Sequence, residues 1–108
     1  MAGTFTAQSL ADGQVAASET AIYTAAGIAY IKQVTFYSNH ASTQTITVWI
    51  KRAAGTSRKI RRMELDLNES CDLLDDGETL ELSNSDTLRA STTNATSVDY
   101  VVLGVVET

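Results

Sequence analysis

Six of the eight basic residues fall in one window, from Lys51 to Arg62, and the turn-like run 53–57 divides them into two groups. Such a cluster suits carboxylates or phosphates, because arginine offers two parallel donors to a planar anion and lysine adds a compact charge. Outside the window thirteen carboxylates stand against two bases, Lys32 and Arg89. The pattern predicts a cationic hairpin on an otherwise acidic protein.

The predicted interface also includes Trp49, because tryptophan is enriched in protein interfaces and this one lies on the predicted outer side of its strand. The full set is Trp49, Lys51, Arg52, Arg58, Lys59, Arg61 and Arg62. One interpretation is docking on an acidic protein surface; the other is a solvated face that keeps an edge strand from joining other sheets. Nucleic acid is the least favoured partner, because the net charge is −5 and no aromatic residues alternate with the bases.

Residue types for catalysis are few. The one histidine, His40, lies in a polar run with no orienting partner indicated, and Asp72 beside Cys71 disfavours a reactive thiolate. The Asp-Asp-Gly run at 75–77 lacks the alternating oxygen ligands of a calcium loop and is typical of a hairpin turn. Nothing selects a carboxylate pair for glycoside hydrolysis. We expect a protein that is not an enzyme and that has no metal or cofactor.

We predict that these residues lie on short strands, because apolar and polar residues alternate with a period of two around them. The strand that contains Trp49 is followed, across the basic hairpin, by a strand in which Ile60 is out of phase with later apolar residues. A bulge between Ile60 and Met63 would restore the alternation. The residues of these two strands that are predicted to face the core are Ile46, Val48, Ile50, Met63, Leu65 and Leu67.

Two other strands carry strong patterns. Residues 28–37 place Tyr30, Val34 and Phe36 on one face, interrupted by Lys32. The final run 98–106 is apolar on both faces after Asp99, which predicts a central strand covered on both sides.

The composition predicts one domain. A chain of 108 residues, 44% of them hydrophobic, suits a single core over residues 1–108. About eight threonine-rich strands without crossover helices predict an all-β fold, an antiparallel β-sandwich of jelly-roll or Greek-key type. Residues 1–27 carry a weak pattern and are expected to form an N-terminal arm plus an edge strand. No segment predicts an export signal or a membrane contact.

This series of strands and turns resembles the small all-β capsid cement or decoration proteins of tailed bacteriophages, together with compact tail and fibre modules. The resemblance covers residues 28–106 and rests on runs 28–39, 43–50, 74–82, 86–90 and 98–107. It implies a non-enzymatic virion component, made in the host cytoplasm, that binds junctions between major capsid subunits as a homo-oligomer, a dimer or trimer. The alternative is a carbohydrate- or receptor-binding module of a phage tail or fibre, with contacts from Trp49, Tyr23, Tyr30 or Tyr37 and from the loop 38–42.

Overall fold

The computed structural model describes the backbone of residues 5–107 and the side chains of residues 9–107. Within this range the chain forms nine strands. They are β1 (Phe5–Gln14), β2 (Thr20–Thr24), β3 (Ile28–Ser38), β4 (Gln44–Lys51), β5 (Arg58–Leu65), β6 (Ser70–Asp72), β7 (Leu80–Leu82), β8 (Thr87–Ser91) and β9 (Val98–Glu107). In the segment predicted as an arm plus an edge strand, β1 is an edge strand, whereas residues 1–4 lie outside the described range.

Two antiparallel sheets pack together. Sheet A has the order β1-β9-β3-β6, with β7 also paired to β3, and sheet B has the order β2-β8-β4-β5. The predicted antiparallel β-sandwich is therefore confirmed, with nine strands in the described residues where about eight were expected. The jelly-roll or Greek-key type stays a prediction. The described residues contain no helix that could cross a membrane.

The core between the sheets contains most of the residues predicted for β4 and β5. Ile46 and Val48 are fully buried on β4, and on β5 Met63 is buried opposite Ile46 and Leu65 opposite Gln44. The prediction for Leu67 is wrong, because this residue lies beyond the end of β5 and its side chain is 48% exposed.

The inward face of β3 changes partway along the strand. Ile31 is buried before Lys32, whereas Val34 and Phe36 are buried after it. The register against β9 shifts immediately after Ile31, so Lys32 is an extra residue that inverts the alternation. The prediction that Tyr30 shares a face with Val34 and Phe36 is therefore wrong, and half-buried Tyr30 lies on the outer side.

A second bulge in sheet A lies in β1, beside the same part of β9 as the bulge at Lys32. The register of β1 against β9 shifts at Leu10, so bulges flank Gly104 on both neighbouring strands. A Cβ atom on Gly104 would overlap the carbonyl oxygen of Tyr30 and lie 2.9 Å from Cδ1 of Leu10. Only glycine permits this close approach of three strands.

Strands β6 and β7 do not form the hairpin that Asp-Asp-Gly at 75–77 predicts. Both run antiparallel to β3, at residues 35–37 and 29–31, so the turn is an excursion from one interrupted edge strand. Gln33 bridges the gap: its Oε1 accepts the N–H of Leu74 at 2.9 Å, and its Nε2 donates to the Leu74 carbonyl at 2.9 Å. The side-chain amide thus replaces the missing backbone partner.

Candidate functional site

The outer side of sheet B carries Trp49 between two cations. Trp49 on β4 lies directly opposite Lys59 on β5 and Arg89 on β8. Its chain neighbours Val48 and Ile50 are buried, so half-buried Trp49 points away from the core, as predicted. Because directly opposed residues of a sheet share one side, the three side chains lie together on the outer surface.

Two further cations complete this surface. Lys51 follows Trp49 by two residues on the same side of β4, and Arg62 lies opposite Thr47. One carboxylate of β5, Glu64, lies on the same outer side of sheet B. We call this surface the basic face. It consists of Trp49, Lys51, Lys59, Arg62 and Arg89.

An extra residue in β5 brings Lys59 and Arg62 to the same side. Two residues that are three positions apart in a regular strand point to opposite sides. Here the register against β4 passes from Arg61 to Lys59 across Ile60, which restores both cations to the outer side. A bulge is therefore present in β5 as predicted, but the extra residue is Ile60 itself and does not lie between Ile60 and Met63, and the Ile60 side chain is 43% exposed.

Glu19, just before β2, holds one edge of the basic face in place. Its Oε2 lies 3.3 Å from Nη1 of Arg89 and accepts the hydroxyl of Ser57 at 2.5 Å. Arg89 Nε also donates to the hydroxyl oxygen of Thr87 at 3.1 Å. These contacts link the loop of the cationic hairpin to β8, and they restrict Arg89 before any partner binds.

Arg52 is engaged within the chain and lies outside the basic face. Its Nη1 is 2.9 Å from Asp86 Oδ2 and donates to the Glu81 carbonyl at 2.9 Å. The Asp86 carboxylate also accepts the N–H groups of Ser83 and Ala53. The bond from the Ser83 N–H, followed by those from Arg52 and Ala53, lowers the pKa of Asp86 below its ordinary value of 3.8. Arg52 therefore anchors the base of the hairpin loop.

Arg58 and Arg61 lie on the other side of β5 from Lys59 and Arg62. They pair with the buried residues Ile50 and Val48, but they are exposed because β5 is an edge strand. Arg61 Nη1 donates to the Leu73 carbonyl at 3.3 Å. The same arginine lines an open cavity of about 260 Å³ with Ile60, Leu73, Leu74, Asp75, Glu78 and Leu80. The six bases of the predicted hairpin thus lie in three places. Lys51, Lys59 and Arg62 belong to the basic face, and Arg52 lies at the base of the hairpin loop. Arg58 and Arg61 lie on the other side of the edge strand β5.

The candidate reactive groups have structural contacts. His40 is half-buried, and its Nδ1 accepts the N–H of Ser42 at 3.0 Å. The Cys71 sulfur lies 3.2 Å from the Met63 sulfur. Burial raises the pKa of the Cys71 thiol, and the nearby Asp72 carboxylate raises it further against the opposing effect of Arg61. The described part of the chain holds no group of three or more His, Cys, Asp or Glu residues that could bind a metal ion.

Several carboxylates between Glu64 and Asp86 close turns. In the turns 66–69, 75–78 and 83–86, the N–H of the last residue donates to the first carbonyl at 3.0 Å. The carboxylate of the last residue accepts the first N–H at 2.6, 2.6 and 2.9 Å, respectively. The third residue of each turn has a positive φ, of 64°, 86° and 71°. These carboxylates therefore have a local role in chain reversal.

The outer side of sheet A differs from the basic face, because it is apolar and acidic. Val101 and Leu103 on β9 are 39% and 43% exposed, and they alternate with buried residues. The apolar members are Ile28, Tyr30, Tyr37, Val101, Leu103 and Val105, and the carboxylates among them are Asp12, Asp72, Glu81, Asp99 and Glu107. We call this surface the acidic face.

The aromatic residues considered for carbohydrate binding are not brought together. Trp49 lies on the basic face, whereas Tyr30 and Tyr37 lie on the opposite outer side of the sandwich. Tyr23 packs against the core, where burial raises its pKa. The described side chains thus do not assemble these four residues into one sugar platform.

Sequence reasoning missed Arg89 and the acidic face. Arg89 lies between Leu88 and Ala90, both buried, and this alternation could have shown that it points outward. The alternation does not show that β8 neighbours β4, which is what places Arg89 beside Trp49. Long-range pairing of strands is thus the missing information.

No protein-family model, no curated protein and no solved structure matches this chain. The functional conclusions therefore depend on the two outer faces of the sandwich and on the residues that compose them.

Proposed function

We propose that the protein is a non-enzymatic structural component of a tailed-phage virion, a capsid cement protein that binds junctions between major capsid subunits. The basic face docks on an acidic surface of the capsid, and the protein reaches the virion from the host cytoplasm, where it is made. The choice of a capsid as the partner comes from the resemblance in strand and turn pattern. The choice of the docking surface is supported by the arrangement of Trp49 and the cations on one side of sheet B.

One observation carries this proposal: Trp49 shares one side of a sheet with four cations, in a protein whose net charge is −5. Tryptophan and arginine are the residues enriched at the energetic centres of protein interfaces, and a polar rim surrounds those centres. Solvated edge protection explains cations on the edge strand β5. It does not explain Trp49 and Arg89, which lie on the interior strands β4 and β8.

The carbohydrate-binding alternative receives less support. Sugar sites of this kind need aromatic rings on one surface, and the tryptophan and two of the tyrosines lie on opposite outer sides. A protein partner is therefore the better-supported ligand of the basic face.

Cosedimentation with capsids that lack the protein tests the proposal. The variant K59A/R62A removes two charges from the basic face, and we expect about tenfold lower occupancy at moderate salt, because both charges face the partner. The matched control R58A/R61A removes two charges from the other side of the same strand and should retain occupancy within about twofold. Thermal melts establish that both variants fold.

Equal loss of occupancy in both variants would contradict docking through the basic face, because net charge alone would then explain binding. Wild-type protein that fails to sediment with capsids, but that binds immobilised glycans, would overturn the cement proposal in favour of the carbohydrate-binding alternative.

A further inference from the structure

The outer side of β9 has the composition of a strand that is buried on both faces. The sequence predicted such a strand, and the structure confirms its central place in the three strands β1-β9-β3. Its outward residues Val101, Leu103 and Val105 receive no covering layer from the described chain. Continuous apolar strands are typical of sheets with both faces covered. The apolar composition of the acidic face therefore favours its burial against a partner.

The charges around the apolar residues of β9 indicate the chemistry of a partner that would cover them. The carboxylates that surround this apolar stripe include Asp12 on β1, Asp99 on β9 and Glu81 on β7. Among the described residues one cation lies at this sheet, Lys32 in the β3 bulge, and its Nζ donates to the Thr79 hydroxyl at 3.1 Å. A complementary surface thus presents several cations around an apolar centre.

We propose that this surface is the basic face of a second copy of the chain, so that copies associate head to tail. Trp49 supplies the apolar centre that meets Val101 and Leu103, and the four surrounding cations meet the carboxylates. Contact between two acidic faces would place like charges together, as would contact between two basic faces. The electrostatics therefore favour pairing unlike faces.

Head-to-tail contact has a consequence for assembly. The two faces lie on opposite sides of the sandwich, so a pair in contact keeps one free basic face on one copy and one free acidic face on the other. Such a heterologous contact extends until a ring closes, or else grows as an open chain. Two-fold symmetric dimers through either face alone are not expected.

This inference rests on the proposed function, because both assign the basic face to contact with a protein surface. The acidic face of a second copy and the capsid would then compete for the same cations. A protein that cannot self-associate should consequently bind capsids at least as well as the wild type.

Analytical ultracentrifugation of two purified variants, alone and mixed, tests head-to-tail pairing. V101K/L103K disrupts the acidic face, and W49T/K59A/R62A disrupts the basic face; all five positions are on outer sides of the sandwich. We expect the wild type to associate with increasing concentration and each variant alone to stay monomeric. An equimolar mixture should form a one-to-one dimer, because each variant keeps one intact face.

Leu67→Lys is the matched control for the acidic face, because Leu67 has a comparable exposed apolar side chain in a turn outside both faces. It should associate like the wild type, and melts should show that all variants fold. A wild type that is monomeric at about 1 mM would overturn the inference. So would self-association of W49T/K59A/R62A alone, which would indicate contact between acidic faces. Capsid binding by V101K/L103K is measured separately, so that the docking proposal stands or fails independently.

Discussion

The two outer sides of this sandwich share an architecture and differ in chemistry. On sheet B the outward residues of β4 include threonines, Trp49 and Lys51, with Arg89 alongside on β8. On sheet A the outward residues of β9 are Val101, Leu103 and Val105, within a surround of carboxylates. The basic face is suited to water as well as to a partner, whereas the apolar stripe of the acidic face favours burial.

Bulges shape both faces. In sheet A the extra residues Leu10 and Lys32 flank Gly104, and in sheet B the extra residue Ile60 places Lys59 and Arg62 together. Since a shift of one residue inverts every later side chain, these three positions decide which residues reach solvent. The difference between the faces therefore depends on irregular positions as much as on the regular pattern.

Among the substitutions, Gly104→Ala should have the largest effect on stability, because it disturbs the close packing of the three strands that form the acidic face. The added Cβ would overlap the backbone of Tyr30, which cannot move without displacing β3. We expect the free energy of unfolding to fall by about 1–3 kcal/mol in urea denaturation. Gly55→Ala is the control, since its Cβ would meet Arg52 at an ordinary 3.5 Å. Similar losses for both variants would contradict the crowding around Gly104.

Asp86→Asn should weaken the contacts that Asp86 makes with Arg52 and Ala53 at the base of the hairpin loop, and the resulting loss of stability should depend on pH. Hydrogen bonds lower the pKa of folded Asp86 below 3.8, so its ionised form stabilises the fold above that pH. This contribution is lost as the pH falls through the lower, folded pKa. Melting temperatures of wild type and variant should thus differ most near neutral pH, and the difference should shrink as the pH falls below 3.8 through the folded pKa.

The control for this experiment is Asp76→Asn, an exposed carboxylate in the turn 75–78. Its melting temperature should follow that of the wild type at each pH. A difference between wild type and Asp86→Asn that stays constant from neutral to acid pH would argue against stabilisation by the ionised carboxylate.

Deleting Ile60 should have the smallest effect on stability, and it tests whether the bulge sets the register that brings Lys59 and Arg62 to one side. The pairing on both sides of Ile60 already has the register that the deletion would leave, with Lys59 and Arg62 still outward. We expect a stability change within about 1 kcal/mol and unchanged self-association. The matched deletion of Thr47 in β4 would turn core residues outward and should prevent folding. Loss of folding on deletion of Ile60 would contradict the register assigned to this bulge.

The sequence predicted regular elements better than irregular ones. The alternation around Trp49 predicts its outward position, and the phase error at Ile60 predicts a bulge; both are confirmed. The bulge at Lys32 is not visible in the same way, because Tyr30 is as plausible a core residue as Ile31. Leu67 continues an apolar alternation that ends when the chain leaves β5 for a turn.

The composition of the candidate site was only partly predictable. Hydrophobic and basic residues near one another in sequence indicated the hairpin, but the assignment of Arg52 to Asp86 depends on a contact across 34 positions. Arg89 joins Trp49 through the pairing of β8 with β4. A pattern along one strand fixes the side on which a residue lies; it does not identify the strand next to it.

The most direct test of complementary faces is an NMR titration of isotope-labelled V101K/L103K with unlabelled W49T/K59A/R62A. The labelled variant keeps its basic face, so we predict shift changes at the Trp49 indole N–H and at the amides of Lys59, Arg62 and Arg89. Signals from β9 should stay unchanged. Shift changes centred on β9, or no changes at concentrations where the wild type associates, would contradict the claim that unlike faces pair.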